Sequence, residues 1–183
     1  MRRAKREHEE EESAMLLYIV RHGIAIDRED PKSPSDPERY LTPEGLRKTR
    51  EVARGFASLK ISPDVFLSSP YVRAMQTAEI FAEEVKFSKS KIKQTDLLLP
   101  GADAAAFFRE LQRASRSEES SICFGHAPHL DELIAFALGS KKDLTQMKKA
   151  GVACLELTRI SPPSGGLAWL STPKILRKRT KRD

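Results

Sequence analysis

MLLYIVRHG, residues 15–23, is the stretch that decides how this 183-residue chain folds. Met15 to Val20 is an unbroken apolar, partly β-branched run. It lacks the polar alternation of a half-exposed strand and reads as a strand buried on both faces of a parallel sheet. The run stops on Arg21 and His22, where burying a charge without a partner would be costly.

Outward from this strand the same order recurs. A polar loop from Asp27 to Tyr40 leads to Thr42-Pro43-Glu44-Gly45, which starts a helix with Thr42 as cap and Pro43 in the first position. That helix runs to about Leu59, with Leu46, Val52, Ala53 and Phe56 expected on its inner face. Asp64 to Leu67 is a second short strand. Ser68-Ser69-Pro70 repeats the cap-then-proline signal and opens a helix to about Val85. Lys86 to Leu99 is ambiguous, with room for a short strand near Ile92. A helix from Asp103 to Arg116, a strand from Ser121 to Phe124 and a helix from about Pro128 to Leu138 follow. Gly151 to Leu157 and Leu167 to Leu170 read as final strands around the turn Ser161 to Gly166, able to pair as a hairpin.

Strands alternating with helices specify an α/β chain with a mostly parallel sheet covered on both faces. We find no internal repeat and no second-domain boundary. The expected organisation is a charged, flexible segment at 1–14, one domain at 15–171 and a basic, disordered tail at 172–183. Nothing in the chain approaches the 18 apolar residues of a membrane span, and MRRAKREHEEEESA lacks the apolar core of a secretory signal, so a cytoplasmic location is expected. Cys123 and Cys154 sit inside apolar runs without metal-ligand spacing and read as buried small hydrophobes. The chain's net charge of +6 is concentrated at its end: Thr172 to Asp183 holds six cations against Asp183 alone. The plain reading is a solvated tail, the alternative an electrostatic handle for a polyanion such as nucleic acid or polyphosphate.

Ligands of an open parallel sheet bind outside the carboxyl ends of its strands. The first strand ends in Arg21-His22-Gly23. The second ends in Ser68-Ser69-Pro70, with Arg73 in the first turn beyond, and the third in Gly125-His126. Two histidines and two arginines thus converge on one edge. Arginine offers a planar fork of donors that matches phosphate oxygens. A neutral imidazole can attack phosphorus or donate a hydrogen bond. Gly23 is expected to let the backbone approach a ligand. Arg73, a cation near a helix start where the dipole disfavours it, would be relieved by a bound anion.

These residues resemble the histidine phosphatase superfamily: a strand followed by Arg21-His22-Gly23, then Ser68-Ser69-Pro70 with Arg73 and AMQTAEI, then Gly125-His126. The resemblance runs from about Leu16 to Leu170. It is nearest to the phosphohistidine phosphatases of the SixA type, because long insertions are absent and Arg39-Tyr40-Leu41-Thr42 resembles the segment that opens the first helix there. It implies a phosphoglycerate mutase-like, three-layer α/β/α sandwich and no metal or other cofactor. It also implies a phosphohistidine intermediate on His22, with Arg21, Arg73 and His126 on the phosphoryl oxygens and Arg39 as a further phosphate contact. The chain departs from the pattern at Leu97 to Asp103, where many members carry a glutamate proton donor and this sequence has none. Asp103 is the nearest carboxylate, suited either to cap the next helix or to serve as that donor. A missing acid disfavours alkyl phosphate esters, whose alkoxide needs a proton, and suits the P–N bond of phosphohistidine. The expected substrate is therefore a phosphohistidine-bearing protein. The alternatives are a small phosphorylated metabolite, with Asp103 as donor, and a non-catalytic phosphate-binding module. His129 reads as a rim or solvent-facing residue, and Asp131 as a helix cap.

Overall fold

The stretch at 15–23 supplies β1 (Met15–Arg21), a central strand of a six-stranded sheet in the computed structural model, which describes residues 14–115 and 119–179. The other strands are β2 (Val65–Ser68), β3 (Lys93–Gln94), β4 (Ser120–Gly125), β5 (Val152–Arg159) and β6 (Ser164–Ser171), in the order β3-β2-β4-β1-β5-β6. β1 runs parallel to β4, which is parallel to β2, and β2 to β3. β5 is antiparallel to β1 and pairs with β6 as the expected hairpin.

Both faces are covered, which is why β1 is apolar from Met15 to Val20. Met15, Leu17 and Ile19 enter a core with Phe107, Phe108 and Leu111 of α3 (Ala104–Ala114) and Leu130, Leu133 and Ile134 of α4 (His129–Ala137). Tyr18 and Val20 point the other way. They meet Val52 and Phe56 of α1 (Pro43–Ala57), Ala78 and Phe81 of α2 (Val72–Glu84) and Leu176 of α5 (Pro173–Arg179). The result is a three-layer α/β/α sandwich. The helices that follow β1 and β4 lie on opposite faces, so the carboxyl ends of these two neighbouring strands bound the crevice where open α/β sheets bind ligands.

Local signals behave as read at α1, where the Thr42 hydroxyl accepts from Gly45 N at 3.0 Å and Pro43 occupies the first turn. Leu46 departs from expectation: it is exposed, and the inner face of α1 is set instead by Gly45, Thr49, Val52, Ala53 and Phe56. α2 starts at Val72, later than Ser68-Ser69-Pro70 suggests, with Tyr71 at its cap and no side-chain cap bond. Cys123 and Cys154 are buried in β4 and β5 as unpaired thiols. Among the described residues no helix is long and apolar enough to cross a membrane.

The expected disordered tail needs correction. Thr172-Pro173 opens α5, which packs on α1 through buried Leu176. A Cβ at Gly55 would stand 2.0 Å from the Leu176 carbonyl oxygen, so the bare glycine makes the close approach possible. Arg177 adds an ion pair to Glu51, and Arg177, Lys178 and Arg179 in the last turn suit the negative end of the helix dipole. One leucine in a basic segment is a weak sequence signal, yet it closes this face of the sheet. Leu176→Ala is expected to destabilise the fold by about 2–5 kcal/mol, measurable as a lower urea midpoint at unchanged slope. The charged segment read at 1–14 lies, but for Ala14, outside the described residues, as do residues 180–183.

Candidate active site

Strand register assembles the site. β1 and β4 pair Val20 with Phe124 and Arg21 with Gly125, while β2 and β4 pair Ser68 with Phe124. The next residues along, His22, His126 and Ser69, therefore emerge together, and His22 N still donates to Gly125 O at 3.0 Å and Ser69 N to Phe124 O at 2.9 Å. The two imidazole centroids lie 5.1 Å apart. Around them is a cavity of about 250 Å³ whose lining holds five cations, Arg21, Arg28, Arg39, Arg73 and Lys149, against two carboxylates, Asp27 and Asp36. Larger clefts of about 640 and 470 Å³ lie elsewhere, but neither contains a histidine.

His22 is 6% exposed, and its Nδ1 lies 2.7 Å from Gly23 O. A carbonyl can only accept, so Nδ1 carries the proton and Nε2 keeps its lone pair. Arg73 Nε approaches that Nε2 at 3.4 Å. Burial, together with the charges of Arg73, Arg21 and Lys149, pushes the His22 pKa down to about 3 against the opposing hydrogen bond to Gly23. Burial, His22 and Arg73 likewise push His126 down to about 3. Both rings are neutral in the folded protein at physiological pH. The consequence for stability has a definite sign. Below the ordinary value of 6.5 the unfolded chain takes up protons that these folded rings refuse, so their contribution is lost as pH falls from about 6.5 towards 3. The melting temperature of wild type is expected to fall more steeply between pH 7 and 4 than that of a His126→Asn variant; parallel curves would contradict it.

His126 Nε2 lies 2.8 Å from the Ser69 hydroxyl, which accepts from Tyr71 N at 3.3 Å. With the hydroxyl as donor to Nε2, the ring proton sits on Nδ1. Four buried side-chain polar atoms lack a hydrogen-bond partner among the described residues, and three of them belong to this cavity: His126 Nδ1, Arg21 Nε and Arg39 Nε. Buried polar atoms are rarely left unpaired, and three of them belong to residues that line one cavity. Arg39 Nε lies 3.2 Å from Asp36 Oδ1, an ion pair by distance without hydrogen-bond alignment.

The arginines are positioned through contacts no local pattern announces. Arg73 is 3% exposed and donates from Nη1 to Asp36 O at 2.6 Å and from Nη2 to Asp36 Oδ2 at 3.3 Å. Arg28 pairs with the same carboxylate at 3.0 Å. Burial raises the Asp36 pKa, but the Arg28 hydrogen bond and the Arg73 and Arg39 charges outweigh it and leave the carboxyl below its ordinary value. Arg21 Nη1 donates to Met147 O at 2.7 Å. That carbonyl is fixed by Asp131, which accepts from Thr145 Oγ1 at 2.6 Å and Met147 N at 3.0 Å.

The structure thus brings Arg21, His22, Arg39, Arg73 and His126 together, as expected. Two other residues fall elsewhere. Asp103 is exposed, caps α3 by accepting from Ala106 N at 2.8 Å and is not among the residues lining the cavity, which fits the capping one of its two readings. Gly23 is not among the residues lining the cavity, and a Cβ there would lie 2.2 Å from Thr49 Oγ1, so the bare glycine makes room for α1. His129, read as rim or solvent-facing, is fully buried with Nε2 3.0 Å from Leu97 O. Asp131, read as a cap, instead anchors the loop behind Arg21. Asp36 and Lys149 escaped the sequence reading. Lys149 precedes an antiparallel strand, so it reaches the site from the amino end of β5, where the parallel-sheet rule does not look.

A sheet of this topology with neutral imidazoles and arginines at one strand edge defines an α/β protein built to hold a phosphoryl-sized anion. The profile of the histidine phosphatase superfamily, branch 1, matches residues 17–98. An uncharacterized protein of Picosynechococcus sp. is 36% identical over 167 residues, 88% of this chain and 99% of that one. The mitochondrial serine/threonine-protein phosphatase Pgam5 of Drosophila persimilis is 28% identical over 110 residues; the match spans 53% of this chain but only 37% of Pgam5. Among solved structures, the protein histidine phosphatase SixA complexed with tungstate superposes with a TM-score of 0.78 at 25% identity, covering 88% of this chain and 99% of that one. A SixA homologue from Agrobacterium tumefaciens gives 0.70 at 22% identity over 87% and 98%. The chain belongs to the histidine phosphatase superfamily, is of the SixA type in fold, and is a phosphatase.

Proposed function

We propose that the protein hydrolyses phosphohistidine on protein substrates, without a metal ion, through a covalent intermediate on His22. The observation that carries this reading is the unprotonated Nε2 of His22 in a cavity that Arg21, Arg39, Arg73 and His126 also line. In the first step Nε2 attacks phosphorus, a new N–P bond forms and the substrate's N–P bond breaks. The departing imidazole leaves neutral once its other nitrogen holds a proton from solvent. Water then attacks the phosphoryl group on His22, releasing inorganic phosphate and restoring the neutral ring. The arginines and His126 hold the oxyanions in both steps. Likeness to SixA supports this substrate class.

The carboxylates support it too. Asp36 is committed to Arg28, Arg39 and Arg73 and held in its charged form, which makes it a poor acid for an alkoxide leaving group. The likeness to Pgam5 favours a second reading, a phosphomonoesterase acting on serine or threonine phosphate. Phosphate release from matched phosphohistidine and phosphoserine peptides, with a chelator present, separates the two. The first reading predicts kcat/KM at least about 10²-fold higher for phosphohistidine, the low end of the range a positioned general acid supplies. Equal turnover of both peptides would overturn it.

A further inference from the structure

We infer that a second, cationic cleft beside the active site binds an acidic flank of the phosphorylated protein segment and so selects the substrate; this rests on the protein-substrate reading above. The cleft has a volume of about 470 Å³ and gathers Lys48, Lys148, Lys149, Lys174 and Arg177 with no carboxylate in its lining. These cations come from three places in the chain: α1, the loop before β5, and α5. Solvated lysines are ordinary on a surface. Here three separate segments bring four lysines and Arg177 to one hollow, whose lining also includes Ile24, Ala150 and Pro173.

Lys48 is paired with Glu44 and Arg177 with Glu51. Among the described residues Lys148, Lys149 and Lys174 make no ion pair, and Lys148 Nζ donates only to Gln146 Oε1 at 3.1 Å. Lys149 lines both this cleft and the cavity of His22, so the two spaces adjoin at that residue. A chain that places its phosphoryl group at His22 therefore has beside it a largely apolar hollow walled in part by the stems of cationic side chains. Charge complementarity selects Asp and Glu there, and the apolar lining accommodates their methylene groups and an extended backbone. The ordering of α5 on α1 fixes Lys174 at the cleft, which a disordered tail would not do.

The test compares two phosphohistidine peptides of equal length, one flanked by Asp and Glu and one by Asn and Gln, on wild type and on a Lys148→Glu/Lys174→Glu double variant. Phosphoramidate, too small to reach the cleft, reports the state of the active site. At low salt wild type should prefer the acidic peptide about tenfold in kcat/KM, mostly through KM, as several partly exposed charge pairs acting together allow. The preference should shrink at high salt and vanish or reverse in the double variant, with phosphoramidate turnover unchanged. Equal rates for the two peptides on wild type, or the same preference in the double variant, would overturn the inference alone. Inhibition by a single-stranded oligonucleotide with no acidic-peptide preference would assign the cleft to nucleic acid and also overturn it. Turnover of phosphoramidate but of neither peptide would overturn the protein-substrate reading, and the inference with it.

Discussion

Replacing His22 with alanine is expected to lower kcat by at least about 10⁴-fold, the scale of loss when a covalent nucleophile is removed. His22 stands at the carboxyl end of β1 with its proton committed to Gly23 O, so Nε2 is presented as a lone pair without any prior deprotonation. The neighbouring cations keep it so, because they oppose protonation of the ring. Among the described residues the other candidates are committed elsewhere, His129 being buried against Leu97 O. His126 is tied through Nε2 to Ser69, and its Nδ1 is buried from solvent. The buried thiols of Cys123 and Cys154 are raised in pKa by burial and lie within strands. His22→Asn controls for folding: it keeps a polar group of similar size and should be equally inactive while melting close to wild type. Residual turnover above about 1% of wild type in either variant would move the nucleophile elsewhere.

Arg73→Ala is expected to lower kcat by about 10²–10³-fold, the loss on removing one preorganised oxyanion donor. Arg73 is almost fully buried, approaches Nε2 of His22 and is aimed by two bonds to Asp36. Arg73→Lys should recover little of this, because an ammonium cannot reproduce the fork that meets Asp36 and the pocket at once. Full recovery by lysine would show that only the charge matters and that the Asp36 contacts are incidental. Because Asp36 also pairs with Arg28 and Arg39, the effects of Arg73 and Asp36 substitutions should be less than additive.

What the sequence displays is local. β1 was readable because a strand buried on both faces must be apolar at every position, and its abrupt end on Arg21-His22 marked the edge. Three such ends, ordered along a parallel sheet, were enough to place Arg21, His22, Arg73 and His126 in one crevice. What escaped depends on contacts between distant segments. Asp36 meets Arg73 across 37 residues, and Met147 meets Arg21 across 126, through an Asp131 that passes for a helix cap. Ser69 shows how one residue can satisfy two patterns. Its position before a proline suggests a cap, but its hydroxyl goes to His126 and the helix begins at Val72. Asp103 offered two roles of equal local plausibility, and only the shape of the cavity separates them. Lys149 and Lys174 read as loop and tail cations until the sheet brings the start of β5 against the end of β1 and Leu176 docks α5 on α1.

The most direct test of the central claim is to trap the intermediate. Wild-type protein is mixed with a ³²P-labelled phosphohistidine substrate, quenched in alkali within the first turnover and digested. The peptide that carries the label is then identified. The account predicts acid-labile, alkali-stable phosphate on the peptide containing His22, and no label in His22→Ala. Label on another residue, or rapid turnover by wild type with no trapped phosphoenzyme at any time point, would contradict it.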